Sequence, residues 1–152
     1  MAAKALKIPP AQLYDEDFAV WTEEVGRLLR EKRFEEVDVE HVAEEIEDMG
    51  KSQRNEVLSR LTLIITHLLK WKFQPEKRSG SWRATLNVQR RDLRRSLQIS
   101  PSLRRKGQDS LEELYADAMD DAAAETGLPV ATFPADCPFT VDQILNGEFL
   151  PE

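Results

Sequence analysis

The 152-residue sequence has one cysteine, two histidines, six glycines and no long hydrophobic run, and each scarcity removes a class of function. Cys137 alone permits no internal disulfide, which fits a reducing compartment. It stands beside Pro138 with no histidine near it in sequence, so nothing recommends it as a nucleophile. The glycines match neither a phosphate-cradling loop nor a dinucleotide fingerprint, and there is no Gly-x-Ser-x-Gly elbow. The longest apolar stretch, Leu61 to Leu69, is interrupted by Thr62, Thr66 and His67. It falls far short of the roughly 20 apolar residues of a membrane-spanning helix. Residues 1–10 carry two lysines but no apolar leader segment, so no signal peptide is expected. The expectation is a cytoplasmic protein with no membrane partner.

What the sequence has in plenty is charge, 32% of residues, laid over helical periodicity. Residues 1–13 read as a loose lead-in, with Pro9-Pro10 blocking helix until Tyr14. Asp15 is a good N-cap, with Glu16 and Asp17 suited to the positive end of a helix dipole. Phe18, Trp21, Val25, Leu28 and Leu29 then recur at helical steps, to an end near Lys32. After a short connection, Arg33 to Val37, Asp38 caps a second helix. Val39, Val42, Ile46 and Met49 mark its expected buried stripe, continued by Leu58, Leu61, Ile65, Leu68 and Leu69. Gly50 interrupts it at a cost of about 1 kcal/mol against alanine. The strong helix formers around it favour one long helix, straight or kinked at the glycine, ending at Gln74-Pro75.

Pro75 to Gly80 is a polar loop, and Ser81 is placed to cap a third helix with the stripe Trp82, Leu86, Leu93 and Leu97. Ser100-Pro101 punctuates the chain before a fourth helix, with Leu103, Leu111, Leu114, Tyr115, Ala118 and Ala122 inward and Gly127 as its stop. Residues 128–152 are proline-broken yet apolar (Leu128, Val130, Phe133, Phe139), so they are expected to pack on the helices. Thr140 caps a short last helix, Val141 to Leu145. The fold class expected is therefore all-α: one domain over residues 1–152, a compact bundle of about four to five helices with a Pro-rich C-terminal tail. One common core is expected to hold Trp21, Leu61, Leu68, Trp82, Leu93 and Leu114.

The charges are segregated. Residues 70–106 hold twelve bases against Glu76 and Asp92, and the rest of the chain holds nine bases against twenty-six acids. The basic segment 83–106, with Arg90, Arg91, Arg94 and Arg95 within two turns and Trp71, Phe73 and Trp82 near it, permits a nucleic-acid surface. The favoured alternative pairs it with acidic segments of its own chain, fourteen acids lying in residues 14–49. The net charge of −7 repels phosphate backbones at long range.

Few residues could carry chemistry. His41 with Glu44 and Glu45 offers one imidazole–carboxylate pair of the kind that di-iron bundles use twice. His67 has no acidic residue three or four positions away, so no paired metal motif exists. A lone histidine in an apolar stretch is more often a buried, hydrogen-bonded residue than a catalyst. His41, Glu44, Glu45 and His67 are thus weak candidates for a metal or acid–base site.

Taken together, the segments carry a resemblance. Tyr14 to Trp21 (YDEDFAVW), Asp38 to Gly50 (DVEHVAEEIEDMG), His67 to Trp71 (HLLKW), Gln74-Pro75, Ser81-Trp82, Arg90-Arg91, Pro101 to Leu103, Glu125 to Leu128, Phe133-Pro134 and Phe149 to Pro151 follow in order. They resemble the bacterial family catalogued as domain of unknown function 29. The resemblance implies a helical bundle and brings no established activity, substrate or catalytic residue. It marks Glu44, Glu45, Glu47, Asp48, His67, Lys70, Trp71, Ser81 and Trp82 as the positions where any site would lie.

Three functions follow in order of expectation. The first is a non-enzymatic helical interaction module, binding a protein partner or itself, with Arg90, Arg91, Arg94, Arg95, Lys70 and Trp82 as interaction residues. The second is a nucleic-acid-associated protein using residues 83–106. The third is an enzyme or metal site around His41, Glu44, Glu45 and His67. No cofactor is called for.

Overall fold

The structure, a computed structural model, describes residues 8–152. The expectation for residues 1–7 lies outside the described residues. Among these the chain is all-α, with seven α-helices and no strand. They are α1 (Pro10–Glu16), α2 (Phe18–Arg30), α3 (Val39–Phe73), α4 (Gly80–Ile99), α5 (Leu103–Asp109), α6 (Leu111–Thr126) and α7 (Val141–Leu145). The chain divides into two units, one ending at Lys51 and the other running from Ser52 to Glu152.

The first unit corrects the N-terminal expectations. Residues 10–16 are a helix, not part of a lead-in, because Pro10 sits at its first turn, where a missing N–H costs nothing and the ring presets the backbone. Asp15 lies inside that helix. The cap of α2 is Asp17, whose carboxylate accepts from the Val20 amide at 3.1 Å. At its other end α2 closes with the amides of Lys32 and Arg33 bonded to the carbonyls of Leu29 and Leu28. Lys32 is left-handed there at φ 59°, a place usually given to glycine. Leu13, Trp21 and Val25 are the buried centre, with Ile8, Tyr14, Val37 and Val42 packed on them. Trp21 therefore belongs to this cluster and not to the core of the second unit.

Helix α3 runs unbroken through Gly50, as the strong helix formers around the glycine imply. Its second half is the axis of the larger unit. Val57, Leu61, Ile64, Ile65, Leu68 and Leu69 are buried against Leu86 and Leu93 of α4, Leu114, Tyr115, Ala118 and Ala122 of α6, and the tail. Its first half differs from expectation: Val39, Ile46 and Met49 are 61%, 63% and 71% exposed. Helical periodicity identifies an apolar face but does not say whether another element covers it.

The later boundaries shift slightly. Ser79, not Ser81, caps α4, accepting from the Trp82 amide at 3.3 Å. The expected fourth helix breaks into α5 and α6 at Ser110, because Gly107, Asp109 and Ser110 are all poor helix residues. Gly127 ends α6 in the left-handed conformation at φ 73°, as expected. Thr140 opens α7 with a full capping box to Gln143. The tail is packed: Phe133 stands edge-on to Phe73 at 5.4 Å, and Phe139 packs on Phe149 at 6.0 Å. Val130 is the exception, 46% exposed.

Candidate functional site

The four clustered arginines of α4, Arg90, Arg91, Arg94 and Arg95, divide into two pairs. Arg90 is buried, 1% exposed. It donates from Nε to the Ile144 carbonyl at 2.8 Å, and from its two terminal nitrogens to Phe149 at 2.9 Å and Gln143 at 3.2 Å. Arg94 reaches the Leu145 carbonyl at 3.4 Å. These carbonyls belong to α7 and the chain after it, so the planar guanidinium fork gathers acceptors that the short helix leaves open. Burial, and then the neighbouring Arg94 charge, lower the Arg90 pKa to about 10, which leaves it charged at neutral pH. Arg90 is a structural residue and offers no interaction surface. Arg91 and Arg95, exposed as Arg94 also is, each lie within 3.9 Å of Asp92. The expected pairing of the basic helix with acids is thus replaced, at buried Arg90 and at Arg94, by pairing with backbone oxygens. The acids of residues 14–49 make ion pairs of their own, Arg27 with Glu24 and Glu31, and Arg33 with Glu31 and Glu36.

Lys70 and Trp82 are brought together, but not on a surface. The Lys70 ammonium lies 4.6 Å from the centre of the Trp82 ring and 2.6 Å from the Glu125 carboxylate. Its side chain is buried, and Trp82 is half-buried. Helices α3, α4 and α6 are joined by this one cation, which is thereby occupied. One turn earlier, His67 donates from Nδ1 to the Leu63 carbonyl, 3.0 Å away. Burial lowers its pKa, so the ring is neutral near pH 7. That is the satisfied, hydrogen-bonded histidine the sequence implies.

The other histidine has more company than its spacing suggested. His41 Nδ1 lies 2.5 Å from Asp38, and the same carboxylate oxygen accepts from Trp21 Nε1 at 3.2 Å. Tyr14 stacks on the imidazole at 3.9 Å and donates its hydroxyl to Glu45 at 2.5 Å. The hydrogen bond to Asp38 raises the His41 pKa, and the bond to Glu45 pushes Tyr14 up to about 12. Asp38 and Tyr14, the partners that matter, are invisible as such in the sequence. Glu44 does not join this cluster: it is exposed. Among the described residues no three histidine, cysteine or acidic side chains converge as metal ligands. None of the buried side-chain nitrogens and oxygens among the described residues lacks a partner.

In the second unit an open groove of about 590 Å³ runs between α3 and α6, lined by Ser59, Thr62, Leu63, Asp117, Asp120 and Asp121. Three of its six lining residues are aspartates, which makes it acidic.

The exposed apolar stripe is on α3. Val39, Ala43, Ile46 and Gly50 follow one another at four- and three-residue steps, which sets them on one face, and all four are exposed. Val57, Leu61, Ile64 and Leu68 continue that face in phase and are buried. An alanine-sized group on Gly50 would meet nothing within 4 Å. Glu40, Glu44 and Glu47, all exposed, line one side of the stripe.

Residues 13–150 match the family described as Domain of unknown function DUF29, and the chain belongs to that family. No curated protein and no solved structure matches it significantly. No helix among the described residues is long and apolar enough to cross a membrane.

Proposed function

We propose that this DUF29-family chain is a non-enzymatic helical interaction module that engages a protein through the first half of α3. The supporting observation is the stripe Val39, Ala43, Ile46 and Gly50: the buried seam of the same helix extended onto an uncovered surface. Exposed apolar groups that repeat in helical register and carry a charged rim have the form of a helix-in-groove or helix-on-helix contact. The polar clusters support the same reading by elimination, because Lys70, Arg90 and His67 are each consumed by contacts within the fold.

A photoreactive benzophenone amino acid placed at Ile46 in the full chain tests this in cells. Irradiation is expected to yield adducts to protein, whether this chain or another, and none from the same group placed at exposed Glu112. Absence of protein adducts at Ile46 would refute the module.

A second reading, nucleic-acid association, is favoured by one observation. Arg91, Arg95 and Arg105 have side chains 56%, 71% and 89% exposed.

A further inference from the structure

The outer face of α4 supplies what the α3 stripe lacks. On the side of α4 opposite Leu86 and Leu93, the residues Ala84, Val88, Arg91, Arg95 and Ile99 recur at four- and three-residue steps, and all five are exposed. Val88 is 40% and Ile99 76% exposed. This too is an amphipathic face, and its charge is positive. One carboxylate, Asp92, is shared by Arg91, Arg95 and Arg60, so positive charge remains in excess. The α3 stripe has the opposite rim, Glu40, Glu44 and Glu47.

We infer that the occupant of the α3 stripe is the outer face of α4 from a second copy of this chain. The inference rests on the interaction-module reading and names its partner. The lengths agree: at 1.5 Å per residue, Val39 to Gly50 spans about 17 Å and Ala84 to Ile99 about 23 Å. Ile46 and Val39 meet Val88 and Ala84, while Arg91 and Arg95 meet the glutamates. Gly50 allows a helix to approach closely, since nothing stands within 4 Å of where its side chain would be. Pairing two α3 stripes with each other would instead set glutamates against glutamates. The contact is therefore heterologous: each chain presents two different faces, and copies add head to tail until a ring closes or a chain grows.

Sedimentation of the full chain tests this, with two variants whose substitutions fall at exposed positions. Wild type is expected to associate with concentration, its association constant falling about tenfold as salt rises from about 0.05 to 0.5 M. Ile46→Glu alone and Arg91→Glu/Arg95→Glu alone are expected to be monomeric, with unchanged circular dichroism. Mixed one to one, they are expected to form a dimer that grows no further. The first chain keeps its α4 face and the second its α3 stripe, so only one joint can form. Wild type that is monomeric at about 0.5 mM, association that survives the double arginine change, or a mixture that stays monomeric overturns the inference. With a monomeric wild type, cross-links from Ile46 to another protein leave the module standing without self-docking. Absence of any cross-link removes both.

Discussion

Arg90 Nε donates to the Ile144 carbonyl at 2.8 Å across 54 positions of sequence, and no carboxylate takes part. A buried cation held only by backbone oxygens makes the tail depend on α4 for its place. Arg90→Met is expected to lower unfolding free energy by about 3–5 kcal/mol, since each buried acceptor left unsatisfied costs about 1–3 kcal/mol. Methionine fills the volume but leaves three carbonyls without their donor. Arg90→Lys should also destabilise, because an ammonium does not reproduce the fork. Urea denaturation checks both, and a loss below about 0.5 kcal/mol for Arg90→Met would contradict this account.

The two histidines make the units respond to pH in opposite senses. His41 has its folded pKa raised by Asp38. Its contribution is full below the unfolded pKa of about 6.5 and is lost as pH rises through the folded value. His67 has its folded pKa lowered by burial, so the fold disfavours its charged form. Stability is lost there as pH falls below about 6.5 toward the folded value. His41→Gln should remove the alkaline-side loss and His67→Gln the acid-side loss. Thermal melts between about pH 5 and 8, which bracket the histidine range, read both. Identical pH profiles for wild type and the two variants would contradict the assignment.

Two glycines inside helices predict opposite signs. Gly50 has open space around it, so Gly50→Ala should stabilise by about 0.5–1 kcal/mol through helix propensity. At Gly107 an added methyl would stand 2.6 Å from Leu61 Cδ1, and Leu61 is buried in the seam. Gly107→Ala should therefore destabilise by about 1–2 kcal/mol, overpacking outweighing propensity. Chemical denaturation of the pair is decisive if the two changes move the midpoint the same way.

These positions also show what the sequence discloses. The long helix through Gly50, the cap at Thr140 and the stop at Gly127 are local chemistry and were legible. The α1 helix is hidden by Pro9-Pro10, a pair that reads as a block although proline is at home in a first turn. The exposure of Ile46, the carbonyls around Arg90 and the Asp38–His41 contact depend on which elements meet, and residue spacing along one helix carries no such information. The same limit hid Glu125, 55 positions from the lysine it holds.

Ile46→Glu separates core from surface. At a core position, loss of an isoleucine costs about 2–5 kcal/mol, and a buried carboxylate adds to that. With the side chain 63% exposed, the change in unfolding free energy of dilute, monomeric protein should stay within about 0.5 kcal/mol. Leu68→Ala, on the same face of the same helix but fully buried, should cost about 2–5 kcal/mol. Comparable losses for the two would return the first half of the stripe to the core.

Nucleic-acid binding by the basic segment is expected to be weak. A phosphate-tracking surface gains affinity in proportion to the charges it neutralises, and α4 gives up two of its four clustered arginines to the tail. Arg104 pairs with Asp142 and Arg105 with Asp109, which reduces the remainder further. The net charge of −7 opposes approach at low salt, where steering is strongest. Titration with mixed duplex and single-stranded DNA at about 50 mM salt should show no binding tighter than about 10 μM. Arg91→Gln/Arg95→Gln should leave that result unchanged. Micromolar or tighter binding that fades steeply with salt and disappears in this folded variant would put the function on α4, not α3.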